Sequence, residues 1–289
     1  GLVGSEMCIR DSCMGELEMA KKAAEKSAKE LSEMLFNPRK NGFFKVTDEK
    51  IEKADKFCEG YKAFLNSAKT ERESVEYAVA AAEKHGFVPF DPKHKYAAGD
   101  KVYYNNRGKA ICLAVMGKEG CKNGVRIAAA HIDNPRLDLK PIPLYESSEM
   151  AYLKTHYYGG IKKYQWTTIP LSIRGVVYTK KGETVKIRIG EEDDEPAFLI
   201  TDLLPHLAQN QMRKGASEVI EGEQMNLLIG SLPYEDDKVK ERVKLAIMKI
   251  LNDKYGITED DFETAELCAV PAFKPRDLGL DRSMIAAYG

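Results

Sequence analysis

The stretch 125–143, V-R-I-A-A-A-H-I-D-N-P-R-L-D-L-K-P-I-P, constrains this chain more than any other. Its first six residues form a short, mostly apolar run of the kind that lies as a buried central strand in a sheet. His131 follows directly, then Ile132, Asp133 and the turn-forming Asn134-Pro135. Side chains two apart on a strand share a face. The spacing therefore predicts that His131 and Asp133 look into one crevice, at the carboxyl edge where open α/β sheets bind ligands. A neutral imidazole beside a carboxylate suits two chemistries there. One is a metal ligand with its orienting partner, the other the acid–base pair of a hydrolase.

A chain of 289 residues has room for one large or two ordinary domains, and its 43% hydrophobic residues supply ample core. The formal net charge of −1 gives no electrostatic case for nucleic acid or membrane surfaces. No apolar run approaches the roughly 18 residues of a membrane span. Six scattered cysteines (Cys8, Cys13, Cys58, Cys112, Cys121 and Cys268) form no C-x-x-C pair. That argues against a thiolate zinc site and against a secreted disulfide framework, and it makes a cytoplasmic location the expectation. Residues 1–13 lack the basic start and apolar core of a secretory signal. They read as a non-native tail before Met14.

The pattern along the chain predicts a helix-first order. Residues 16–35 have a strong helix composition that ends at Asn37-Pro38. A second helix, capped at Thr47 or Asp48, runs to about residue 65, and a third covers 74–84 before Gly86. Strands are expected at 102–105 and 110–116 around the turn Asn106-Arg107-Gly108, and then at 125–130. Beyond Pro143 come further strand-like runs at 152–158, 167–173, 176–179, 184–189, 226–230 and 266–271. The five acidic residues 191–195 predict a solvated loop, 239–251 an amphipathic helix, and 275–280 a loop. A β-rich block dropped between helical and α/β segments reads as an inserted domain.

The run A-H-I-D-N-P-R-L-D-L-K-P, residues 130–141, resembles the motif around the first metal-ligand histidine of the M18 metalloaminopeptidases, roughly A-H-T-D-S-P-x-L-x-x-K. Ile132 and Asn134 depart from that pattern at positions that hold no metal. Lys101, Tyr103, Tyr104 and Arg107 are similar to the run that precedes the histidine strand in that family, and Gly159, Gly160 and Trp166 match the opening of its insertion. On spacing alone His206 reads as a residue capping a helix start after Pro205, but Leu204-Pro205-His206-Leu207-Ala208 resembles the family's I-P-H-L-A motif, which favours the other reading.

The resemblance implies an α/β fold: a mixed-sheet zinc-peptidase catalytic domain over 14–143 and 231–289, incomplete at its C-terminal side, with an inserted β-rich dimerisation domain over 144–230. It implies two Zn2+ ions per complete site, peptide substrates and a homo-oligomer. His131 would be a metal ligand and Asp133 the carboxylate that orients its imidazole. His206 would reach a neighbouring subunit's site. The family's bridging aspartate, Glu-Glu pair, further carboxylate and second histidine find no counterpart here, so an inactive N-terminal portion is expected. His85, His94 and His156 lie in no ligand spacing. Two other readings stay open. Residues 145–223 can serve as a non-catalytic oligomerisation module. A metal-free hydrolase using Asp133 and His131 lacks any G-x-S-x-G nucleophile elbow.

Overall fold

The computed structural model describes residues 27–37, 39–236 and 238–288. The expected tail at 1–13, the start at Met14, the first half of the helix at 16–35 and Pro38 lie outside them. The chain divides by compactness into residues 1–56 and 57–289.

In the first unit, helix α1 (Ala28–Leu35) starts in a capping box. The Ser27 hydroxyl accepts from the Glu30 amide, and Glu30 accepts from the Ser27 amide. Helix α2 (Asp48–Ser67) begins with Asp48 and Glu49, acidic residues that suit the positive end of a helix dipole.

In the larger unit, helix α3 (Glu71–Lys84) starts four residues after α2 ends, earlier than position 74, because Thr70 and Glu73 form a second capping box. It packs against β2 (Lys101–Asn106) and β3 (Ala110–Val115), an antiparallel hairpin. At the hairpin turn Arg107 and Gly108 both take positive φ, and the Gly108 amide donates to Asn105 Oδ1. The short strand β1 (Val88–Pro89) lies parallel to β2 and completes a three-stranded sheet.

A second, six-stranded sheet is built from β4 (Arg136–Ser147), β5 (Met150–Tyr158), β6 (Leu171–Tyr178), β7 (Thr184–Ile189), β8 (Leu227–Gly230) and β9 (Glu266–Pro271). Its order is β7-β6-β9-β4-β5-β8. Neighbours in it run antiparallel. The register of β4 against β5 shifts between Leu139 and Leu144. Pro141 and Pro143 sit in that interval and have no N–H to give the ladder, so a bulge there follows from the sequence. β6 runs through Gly175 unbroken, where the pattern suggested two strands. A Cβ at Gly175 would lie 1.9 Å from the Glu266 carbonyl, so only glycine lets β9 approach so closely.

Helix α4 (Arg242–Tyr255) covers β4, β5 and β8, three residues later than the apolar spacing suggested. Glu146 at the end of β4 sets its start by accepting from the amides of Val243 and Lys244, both at 2.9 Å. Between helix and sheet lies the core, with Leu137, Leu171, Met225, Leu227, Val243, Ile257 and Ala269 almost fully sealed. A small hairpin of β10 (Arg276–Leu278) and β11 (Met284–Ala286) follows β9, so the expected loop at 275–280 includes a strand.

Two expectations fail in instructive ways. Residues 125–135 are not a strand: they have no regular secondary structure, and Val125 and Ile127 are exposed. A strand needs ladder partners, and among the described residues none pairs with this run. The acidic stretch 191–195 is not simply solvated. Glu191 is buried against Lys69 and Arg174, because two buried cations need an anion more than the loop needs water. β4 continues beyond its register shift to Ser147, and β9 pairs with both β4 and β6.

Candidate active site

His131 and Asp133 stand on the segment between β3 and β4, just ahead of Arg136, where β4 starts. They are brought together, though by loop geometry and not by a strand face. His131 Nδ1 lies 2.9 Å from the Asp133 backbone carbonyl and 3.4 Å from Asp133 Oδ1. A carbonyl oxygen can only accept, so the shorter contact places the proton on Nδ1. The lone pair is then on Nε2, on a side chain that is 81% exposed. That tautomer is the one a ligating histidine needs.

Asp133 is in turn held from the far side. The Tyr158 hydroxyl donates to Asp133 Oδ2 at 2.5 Å. This bond holds the Asp133 carboxyl below the usual aspartate value and raises the Tyr158 hydroxyl above its own. Tyr158 ends β5 and pairs in register with Arg136. The Arg136 guanidinium carbon sits 4.2 Å from the centre of its ring, a cation–π contact. Arg136 Nε donates to Asp138 Oδ1 at 2.7 Å, and Arg136 Nη1 lies 3.3 Å from Glu71 Oε2 on α3. The Tyr288 hydroxyl donates to the Pro135 carbonyl at 2.6 Å, and its ring meets Trp166 edge-on. Burial pushes the Tyr288 hydroxyl far up, so it stays a donor.

A polar cavity of about 230 Å³ lies beside Arg136, walled by Glu71, Asp138, Glu266 and Cys268 among others. Its lining includes neither His131 nor Asp133.

The third candidate, His206, occupies an exposed turn at 205–207, and its imidazole makes no hydrogen bond or ion pair among the described residues. Among the described residues no contact joins it to His131. Leu203, Leu204, Leu207 and Met212 around it are all more than half exposed. Of the remaining histidines, His85 caps α3 through Nδ1 on the Ala81 carbonyl, His94 packs edge-on to Tyr96, and His156 stacks on Tyr157. Among the described residues, no group of three or more His, Cys, Asp or Glu side chains is placed to hold a metal ion. The donors among the described residues fit one ligand, the Nε2 atom of His131, with its orienting partner already in place.

Tyr158, Arg136, Glu71 and Tyr288 were not legible as site residues. The aromatic run before Gly159-Gly160 marked a strand, but only the β4–β5 register places Tyr158 against Asp133.

A family model for aminopeptidase I zinc metalloproteases (M18) matches residues 64–289. The probable M18 family aminopeptidase 1 of Clostridium acetobutylicum is 49% identical over 259 residues, 88% of this chain and 56% of that protein. The crystal structure of an M18 aminopeptidase from Thermotoga maritima superposes with a TM-score of 0.81 at 43% identity, over 86% of this chain and 54% of that one. The aminopeptidase I structure from Borrelia burgdorferi B31 gives 0.78 at 41% identity, over 86% and 57%. The chain thus spans about half the length of the curated relatives it matches.

Proposed function

The chain belongs to the M18 family of zinc metallopeptidases, and from that premise we propose that its chemistry is the hydrolytic removal of N-terminal residues from peptides. The observation that carries the reading is local. At the one place where the family's metal-ligand motif is matched, the imidazole has Nδ1–H engaged on the Asp133 carbonyl and Nε2 free.

Bound zinc, in pairs about 3.5–4 Å apart in two-metal sites, polarises a scissile carbonyl and yields hydroxide from water near neutral pH. His131 would hold one such ion through Nε2. Asp133 fixes the tautomer and keeps negative charge beside the ring, which strengthens the imidazole as a donor. His206 would serve a site on a second copy, since no contact among the described residues joins it to His131. These residues supply one ligand and its support, so the 289-residue chain alone does not turn peptides over.

The experiment is a Zn2+ titration of the 15N-histidine-labelled chain, read at its five imidazoles. The expected result is that His131 shifts or broadens first and that His131→Ala removes the response. Zinc acting on His85, His94 or His206 at equal concentration while sparing His131 would sink the assignment. In parallel, an aminoacyl-p-nitroanilide assay should show no turnover by the 289-residue chain; turnover that survives His131→Ala would place the chemistry elsewhere.

A second element of the proposal concerns assembly. Leu203, Leu204, Leu207 and Met212 are 56–68% exposed within 144–230, a cluster of large apolar side chains that suits contact with another copy. Sedimentation velocity should show a homo-oligomer that Leu204→Asp with Leu207→Asp converts to monomer. A wild-type chain that sediments as a monomer at tens of micromolar would refute this part.

A further inference from the structure

Among the described residues no strand pairs with the segment that carries His131, so something else must fix the imidazole. Two chain-distant anchors among the described residues hold the segment, both tyrosines. Tyr288 takes the backbone, donating to the Pro135 carbonyl across 153 residues of sequence. Tyr158 takes the side chain, donating to Asp133 Oδ2 at 2.5 Å across 25 residues.

Tyr158 is itself clamped. Opposite residues of an antiparallel pair bring their Cβ atoms within about 5 Å, and the pair Arg136–Tyr158 is the first rung of β4 on β5. The guanidinium lies 4.2 Å from the ring centre. Arg136 cannot swing away, because Asp138 on its own strand and Glu71 on α3 hold it at 2.7 and 3.3 Å. The chain of contacts runs from α3 through Glu71, Arg136, Tyr158 and Asp133 to the His131 ring.

We propose that Tyr158, seated by Arg136, is a positioning residue for the His131 imidazole: it pins the Asp133 carboxylate so that Asp133 presents its carbonyl and Oδ1 to Nδ1–H and leaves Nε2 facing out. This rests on the reading of His131 as a metal ligand, but the device itself needs neither metal nor substrate. The second tyrosine fixes only the backbone beyond Asp133, and so sets where the loop lies and not how the carboxylate points.

The test is the tautomer of His131 in the metal-free full chain, from two-bond 1H–15N correlations of 15N-histidine-labelled protein above pH 8. Free imidazole in water prefers the proton on Nε2. The wild-type chain should show the opposite preference at His131. Tyr158→Phe keeps the ring on Arg136 and removes only the hydroxyl. It should lower the Nδ1–H to Nε2–H ratio at His131 by about five-fold, the ratio one net hydrogen bond sustains. Signals of His85 and His94 should stay in place. Arg136→Lys, which keeps the charge and loses the planar face, should lower the ratio by a smaller factor and answers the question if the first variant does not fold.

A wild-type His131 already in the solvent tautomer would overturn the proposal. So would a ratio unchanged in both variants, even if melting temperature falls, since that marks a purely structural role. Failure of the peptidase reading looks different: zinc would leave His131 untouched while its tautomer still depended on Tyr158.

Discussion

Two charged clusters in this molecule use the same kinds of groups to opposite ends. One is sealed. Lys69, Arg174 and Glu191 are almost fully buried, and Glu73 closes the set from α3. Lys69 Nζ reaches both Glu191 oxygens, at 3.0 and 2.8 Å, and the carbonyls of Pro271 and Phe273. Arg174 lies 2.6 Å from Glu73 and 2.8 Å from Glu191, and Ser172 donates to Glu191 as well. The other cluster, His131–Asp133–Tyr158, is open. Its His131 ring is 81% exposed and engages Asp133 through Nδ1. A cluster whose charges cancel and whose groups face one another holds a fold together. A cluster held rigidly from behind, with an unspent valence in front, is arranged to receive something.

The sharpest way to break the comparison is to remove the anion of the sealed cluster. Glu191→Ala leaves the buried Lys69 without its anion and Arg174 with Glu73 alone, and should cost about 3–5 kcal/mol. A urea unfolding midpoint measures it, and a loss under about 1 kcal/mol would mean the cluster is not what holds β6 to the α2–α3 junction.

Acid should probe the same carboxylate. Burial alone would raise Glu191, but the hydrogen bonds from Lys69 and Ser172 and the Arg174 charge outweigh it, so the group sits below its ordinary 4.5. A carboxyl depressed by folding contributes stability that is fully present above its unfolded value and is lost as pH falls through its folded one. Unfolding midpoints should therefore hold from pH 7 to about 5 and drop below about 4. Glu191→Gln should flatten that drop, and an unaltered pH profile in the variant would assign the acid sensitivity to other groups.

Cys268 sharpens the contrast in reactivity. It lies in β9 opposite Arg174, is buried, and its thiol is pushed up to about 12, chiefly by burial. Cys112 and Cys121 are exposed. Iodoacetamide at pH 8 should modify those two in the native chain and reach Cys268 only on unfolding, as peptide mass mapping will show. Early labelling of Cys268 would mean that this face opens readily.

The smallest effect belongs to the open cluster. His131→Ala removes an exposed ring and should change stability by less than about 0.5 kcal/mol, although the residue is the proposed ligand. A calorimetric loss above about 2 kcal/mol would make His131 a structural residue instead.

Much of the fold could be read in advance where the signal is local. The hairpin around Arg107-Gly108 and the strand at β9 follow from short-range chemistry, and their bounds move by only a few residues. The apolar run before His131 misled because strand character in a sequence is a preference that only a neighbouring ladder can satisfy. Glu191 misled for the reverse reason: four acidic neighbours suggest water, and its partners Lys69 and Arg174 are 122 and 17 residues away.

The sequence by itself determined the family, the position of the candidate ligand at His131 and the adjacency of Asp133, because a short motif fixes covalent spacing. It also carried the two prolines, Pro141 and Pro143, that have no N–H to give the β4 ladder, whereas the need for glycine at 175 came only with the close approach of β9. Only the tertiary structure decided which charges are sealed and which stay open, which ring nitrogen of His131 faces the Asp133 carbonyl, and that Tyr158, Arg136 and Tyr288 converge on its loop. Those outcomes depend on strand register and on contacts between residues far apart in the chain, and no local pattern encodes them.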